Sequence, residues 1–485
     1  MGEADGSRLL RWVPFGVACA VGLALRLAGL GERPLHHDEG MIASLVADLL
    51  DGYRFAYDPQ RLHGPFTFFF GVPALALLGP GEVALRLPVA LTSALLIPLL
   101  LPLRRRLGVA GITAAAWLLA VSPSLVYYGR DLIPETYLVF FTLALVVAVS
   151  VGMETGRSGA FLLAAAAAGL MFTVKETALL SVATLAGAAG VVWRRGPGMS
   201  RRTLLGAGAV FAGIWILLFT SFFTNPGGIV DSVRAFLLWA GKGIEGSGGH
   251  IRSWDFFARL LFTFETPLVL CALAGAFLAV RRRDRFGLFC ALWTAGQLAI
   301  YSALPYKTPW LVLNVVVPAA LTAGVLFREI PARAGFLLAF ALAWTGWRAV
   351  DVSFLRYDDD QIPLIYAPTD RDLRNLLAFV DGVAERSPEG KGITVKLLSP
   401  HLWPLPWYFR GYPNAVYRRR LADDPRPDAD VVIVDVHNEG RLRLRGRYVR
   451  RVFRLRPHEP VGVWVASRTN TDEHGPPRTP KLGRP

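Results

Sequence analysis

The first 350 or so residues are built of apolar blocks of about 17–25 residues, the length at which a helix spans a hydrocarbon core. Eleven such blocks read as spans, at about 12–30, 84–103, 109–128, 136–152, 159–174, 177–193, 203–223, 256–280, 286–304, 311–327 and 334–350. This excludes an ordinary soluble domain. From about residue 351 the chain becomes charged and Arg- and Pro-rich, and no block there is long enough to cross. The expected fold is therefore a polytopic α-helical membrane protein with a small C-terminal extracytoplasmic α/β domain. Its divisions are 1–350 for the membrane module, 351–468 for the α/β domain and 469–485 for a polar, Pro-rich tail expected to be disordered.

A twelfth apolar stretch, 63–79, decides the topology. If it does not cross, one face of the membrane collects Arg8 and Arg11, Arg104–Arg106, Arg157, Arg194–Arg195 with Arg201–Arg202, Arg281–Arg283 with Arg285, and Arg328 with Arg333. That is a strong positive-inside bias. If it crosses, the pattern breaks. Residues 63–79 therefore read as a helix in the outer interface. The N-terminus is then cytoplasmic and the C-terminal domain lies outside, in a multi-pass protein of the cell membrane.

The same arginines account for much of the net charge of +15 without a nucleic-acid partner, and suit anionic lipid. Cys19, Cys271 and Cys290 all lie in apolar blocks and form neither a disulfide framework nor a metal spacing. The hydrophobic N-terminal stretch reads as a retained first helix, not a cleaved leader.

On this topology the outer helix ends gather Asp38, Glu39, Arg130, Asp131, Glu135, Lys175, Glu176 and Lys307, with His36, His37 and His63 nearby. Ionisable groups at membrane depth are costly and mark sites. Cations hold a phosphate leaving group and a carboxylate takes an acceptor's proton, so the mixture suits transfer from a lipid phosphate. Each residue also has a plain structural reading. Asp38 and Glu39 suit the start of the helix that follows, and Arg130 and Lys307 suit interfacial snorkelling. Lys175–Glu176 suits an ion-paired hairpin tip, and the histidines suit loop hydrogen bonds. The Gly-rich stretch 224–255 reads as a flexible lid. The run Trp403–Tyr408 reads as either a sugar-stacking platform or a packed aromatic patch. In the outer domain a helix is expected over 369–386, with strands at 393–398, 431–436 and 461–466.

The Asp-Glu pair of the first outer loop, His63-Gly64-Pro65-Phe66, Ala84-Leu85-Arg86-Leu87-Pro88, the run Ser122–Arg130, Pro134-Glu135 and Thr173-Val174-Lys175-Glu176 together resemble the protein O-mannosyltransferase and aminoarabinose-transferase superfamily of GT-C membrane glycosyltransferases. His36-His37-Asp38-Glu39, Tyr306-Lys307-Thr308-Pro309-Trp310 and Trp403–Trp407 resemble its flippase-activity-associated branch. The resemblance implies an inverting glycosyltransferase. It would carry a sugar from a polyprenyl-phosphate donor to a protein or glycan acceptor. Asp38 would be catalytic base or metal-linked acid, with Glu39 beside it. Glu135 would stand as the second acid, where many members have Asp. Arg130, Lys175, Lys307 and His63 would hold the lipid phosphate. A divalent metal, with Asp38, His37 and Glu135 as candidate ligands, is used by some members only, and no Asp-x-Asp occurs in these outer loops. The rival reading is a flippase-accessory or transport protein for lipid-linked oligosaccharides, without transfer chemistry. Neither inverted repeats nor midplane charges favour it. A plain membrane scaffold leaves the clustered acids and bases unexplained.

Overall fold

The computed structural model describes residues 10–193, 198–245, 250–330, 335–399, 401, 403–421, 424 and 428–467. The polar tail from 468 onward lies outside them. The chain forms two units. One holds the chain to Arg33 and Ile42–Tyr366, the other Pro34–Met41 and everything from Ala367.

The first unit is helical. Its elements are α1 (Val13–Leu27), the larger part of α2 (His37–Leu50), α3 (Phe66–Leu78), α4 (Glu82–Leu95), α5 (Arg104–Ala120), the short α6 (Pro123–Tyr128), α7 (Pro134–Thr155), α8 (Ser158–Val174), α9 (Ala178–Val192), α10 (Arg201–Phe219), α11 (Gly228–Glu245), α12 (Phe256–Phe264), α13 (Thr266–Arg281), α14 (Arg285–Ala303), α15 (Leu313–Glu329) and α16 (Gly335–Val350). The starts follow local chemistry. The Ser200 hydroxyl accepts from the Thr203 amide and the Asp284 carboxylate from the Phe286 amide, each satisfying a donor that the first turn leaves unpaired. Every expected span contains helix. Among the described residues, five runs are long and apolar enough to cross a membrane: Glu82–Ala120, Pro134–Thr155, Arg201–Phe219, Arg285–Ala303 and Pro309–Glu329. The first holds two expected spans, which part at Gly108, whose φ of +68° interrupts the helix where only glycine sits without strain. The remaining spans are shorter or broken.

Three expectations need correction. The block 256–280 is not one straight helix, because α12 and α13 meet at 105°. Pro267 follows the break, and the buried Glu265 there accepts from the Ser122 hydroxyl at 2.6 Å and the Ser124 amide at 3.0 Å. The same residues mark the second break, where the expected span 109–128 ends as a helix at Ala120 and restarts as α6. The Gly-rich stretch 224–255 is also not simply a loop, since 228–245 forms α11; its residues 246–249 lie outside the described ones. The expected helix at 63–79 is α3.

At the centre, α15 packs against α5, α13 and α14. Gly275 permits this closeness: a Cβ there would stand 2.0 Å from the Thr322 carbonyl oxygen. Small residues at helix crossings are the usual means of tight packing in lipid. The fully buried Arg26 ties α1 to its neighbours by donating to Ser93 Oγ (2.7 Å) and to the carbonyls of Gly22, Leu119 and Ala120. The last two lie at the C-terminal end of α5, where the helix dipole favours a cation.

The second unit is an α/β sheet of β1 (Val395–Leu398), β2 (Ala415–Arg418), β3 (Val431–Asp435), β4 (Tyr448–Arg456) and β5 (Glu459–Ala466), in the order β2-β1-β3-β5-β4. β1 pairs in parallel with β2 and β3; β5 runs antiparallel to β3 and β4. The helix α17 (Leu373–Arg386) buries Leu373, Leu376, Val380 and Val383 against it. The aromatic run carries the short α18 (Leu405–Tyr408). Trp407 is buried and the Tyr408 hydroxyl accepts from the Leu35 amide at 2.8 Å. Trp407 is packed, while Trp403 and Tyr408 are half-buried. They help hold Pro34–Met41 in this unit.

Candidate functional site

Glu135 is the second residue of α7, after Pro134 has set the first turn. Its side chain is fully buried. The Lys175 ammonium donates to Oε2 at 2.7 Å, and the Asn314 side-chain amide donates to Oε1. Lys175 ends α8, and Asn314 stands in the first turn of α15, so one carboxylate gathers three helix ends. Glu176, the next residue, turns to other partners. Its Oε2 lies 2.8 Å from His63 Nδ1, and its Oε1 accepts from the Tyr57 hydroxyl at 3.1 Å. Burial alone would raise the Glu176 carboxyl; the charge and hydrogen bond of His63, with its backbone contact and Lys175, outweigh burial and bring it below its usual value. Adjacent residues of opposite sign thus serve two separate ion pairs.

These pairs edge a cavity of about 250 Å³. His63, Lys175, Glu176 and Lys242 supply its charged wall; Phe236, Trp239, Tyr301, Tyr306, Trp310 and Leu311 supply much of the rest. The His63 ring lies against Trp239 (centroids 4.4 Å apart), and Lys242 Nζ stands 4.0 Å from the centre of the same indole. An apolar hollow with a few cations at one wall suits an amphiphile with an anionic head.

Of the expected phosphate ligands, Lys175 and His63 line this cavity. Arg130 and Lys307 do not. Arg130 donates to the carbonyls of Leu25 in the last turn of α1 and of Ala28 and Gly29 just past it, and covers the Phe354 ring. Lys307, 2% exposed, donates to the carbonyls of Leu304 and Arg252, and burial lowers its pKa. Both hold helix ends. Asp131 pairs with Arg33.

The remaining expected residues belong to the second unit. His36 and Glu39 form a reciprocal cap on α2. The Asp38 amide donates to His36 Nδ1 at 3.1 Å and the His36 amide to Glu39 Oε2 at 2.8 Å. Glu39 is fully buried. His37 Nδ1 lies 2.9 Å from the Arg456 guanidinium. Burial first, with Arg456 and the neighbouring histidines adding to it against the opposing charge of Asp38, holds His37 down at about 4. Asp38, half-buried, is the acid of this turn whose side chain the cap does not use.

Among the described residues no three His, Cys, Asp or Glu side chains gather as a metal set. Glu135 already has a partner at each oxygen, and His37 faces a guanidinium. The expected ligands Asp38, His37 and Glu135 therefore do not fit a metal centre within either unit.

Tyr57, Trp239, Lys242, Asn314 and Glu265 were not anticipated. Phe236, Trp239, Ala240 and Gly243 repeat at helical spacing, which marks one face of α11 in the sequence. Glu265 is an acid inside an apolar block, which is itself a signal.

Residues 62–222 match the family model described as dolichyl-phosphate-mannose-protein mannosyltransferase. Over nearly its whole length the chain is similar to the crystal structure of ArnT from Cupriavidus metallidurans bound to undecaprenyl phosphate. The TM-score is 0.67 at 16% identity, over 95% of this chain and 99% of that one. The fold is GT-C. The apo form of the same ArnT gives a TM-score of 0.65 at 16% identity, over 97% of this chain and 100% of that one. The arabinofuranosyltransferase AftD from Mycobacteria gives 0.53 at 15% identity, over 93% of this chain and 40% of that one. No curated protein matches the chain in sequence. The resemblance read from the first third of the sequence and the GT-C architecture thus agree, and the chain is a multi-pass membrane protein.

Proposed function

We propose that the protein is a glycosyltransferase that moves a sugar from a polyprenyl-phosphate donor to a hydroxyl of a protein or glycan acceptor at the extracytoplasmic face. The observation that carries this reading is the apolar cavity whose charged wall is His63, Lys175, Glu176 and Lys242, the Glu176 carboxylate being engaged by His63 and Tyr57. An isoprenoid tail matches the aromatic and aliphatic lining, and a phosphate matches the cations. The undecaprenyl phosphate bound to ArnT, which has the same fold, supports that donor class.

In this reading the acceptor oxygen attacks the anomeric carbon from the side opposite the phosphate. The new C–O bond forms as the bond to phosphate oxygen breaks, so the configuration inverts. Polyprenyl phosphate leaves, and the cations offset the charge that gathers on it. Glu135 and Asn314 position Lys175, and Glu176 positions His63. The family resemblance assigns the acceptor's proton to Asp38.

A labelled polyprenyl-phosphate sugar, incubated with the reconstituted protein and an extract that supplies protein and glycan acceptors, tests this reading through release of free polyprenyl phosphate together with label on the acceptor fraction. Asp38→Asn is expected to abolish release while leaving donor binding in place. Release at the wild-type rate would remove Asp38 from the mechanism.

A further inference from the structure

The C-terminal unit carries eight arginines in the sixteen residues 441–456, a density for which the transfer reaction has no use. They divide into two sets. In β4, Arg450 pairs with Glu439, Arg454 with Asp370 and Arg456 with Glu459, while Arg451 covers the Phe379 ring. Just before β4, Arg441, Arg443, Arg445 and Arg447 are all exposed and form no ion pair among the described residues. Between them, Leu442 and Leu444 are half-buried against a small core that includes Leu398, Val432 and Val434.

The alternation sets the geometry. Leucines face the sheet and arginines face water, about 7 Å apart at the spacing of extended chain. The base is firm: the Tyr448 hydroxyl donates to the Ala429 carbonyl at 2.9 Å, and the Arg445 amide donates to Asp428 Oδ1 at 2.8 Å. Asp428 meets the row through that backbone amide, not through a guanidinium. Glu439, at the row's start, is occupied by Arg450 and by the Trp464 indole N–H.

A line of guanidinium groups that form no ion pair among the described residues is a surface for a polyanion. We propose that Arg441, Arg443, Arg445 and Arg447 dock on the headgroups of an anionic lipid surface. Charge complementarity favours this occupant, and so does supply. The larger part of the unit begins at Ala367, a short stretch after α16 ends at Val350, and α16 lies in a block that the sequence reads as a span. Each arginine near an anionic surface multiplies the ratio of bound to unbound states by about fivefold, and screening reverses the effect.

The test is amide hydrogen exchange over 441–447 in the full-length protein, held in nanodiscs of phosphatidylcholine with or without phosphatidylglycerol. Phosphatidylglycerol is expected to slow exchange by about tenfold or more, and high salt to restore it. Replacing all four arginines by Gln should abolish the slowing while leaving exchange in β5 unchanged, which reports that the sheet is intact. Replacing all four by Lys should keep it. Equal exchange in the two nanodiscs would overturn the proposal. So would slowing seen only after a soluble polyanion such as heparin is added, which would make the surface a polymer site instead.

Discussion

The Lys175 ammonium lies 2.7 Å from Glu135 Oε2, with the lysine 6% exposed and the glutamate fully buried. Removing one member of such a pair leaves an uncompensated charge where water cannot reach it. Glu135→Gln is therefore expected to cost about 3–5 kcal/mol, read as a lower thermal midpoint in detergent. Glu135→Gln combined with Lys175→Met should recover much of that stability, yet donor binding should stay weak because the cavity has lost a cation.

Glu176 gives the pair on the other side a pH signature. Its carboxyl lies lower in the folded chain than its usual 4.5. A group depressed on folding adds stability above its unfolded value, and that addition is lost as pH falls through the folded value. Thermal stability should therefore drop as pH is taken below about 4.5, and Glu176→Gln should flatten that part of the profile. An unchanged profile in the variant would place the acid-labile group elsewhere.

Arg130 separates structural cations from substrate cations. It occupies carbonyls at the C-terminal end of α1 and just beyond it, and does not line the cavity. Arg130→Met should lower the thermal midpoint without changing donor affinity, measured by titration of the surviving folded protein. Lys175→Met should do the reverse within the double variant described above.

Helix packing supplies a purely steric prediction. A methyl group at Gly275 would meet the Thr322 carbonyl oxygen, whereas at Gly187 it would meet nothing within 4 Å. Gly275→Ala should destabilise by about 1–3 kcal/mol. Gly187→Ala should be neutral or slightly stabilising, since alanine favours helix.

The blocks from Val13 to Val350 were legible because lipid leaves helix as the economical answer for long apolar runs. Breaks inside them were less so. The bend at Glu265 depends on a carboxylate reaching Ser122 and Ser124 from far along the chain, and no local pattern records that. β1, β3 and β5 were legible as apolar runs, but β4 was not: YVRRVFRLR carries arginine at four of its nine positions, and its pairing with β5 is set by the sheet. At the candidate site, residue type alone did not distinguish cations that line the cavity from cations that secure helix ends. Lys175 and His63 line the cavity; Arg130 and Lys307 are as basic and as buried, yet they secure helix ends. Lys242 escaped notice because glycines made α11 look like loop.

Binding of a labelled polyprenyl phosphate to the purified protein, followed by sugar transfer in the same preparation, is the most direct measurement. The expected result is saturable binding lost in Lys175→Met with Glu135→Gln, together with transfer lost in Asp38→Asn while binding persists. Lipid movement across vesicles without any sugar transfer, or binding indifferent to Lys175, would contradict the assignment of this cavity to a glycosyl donor.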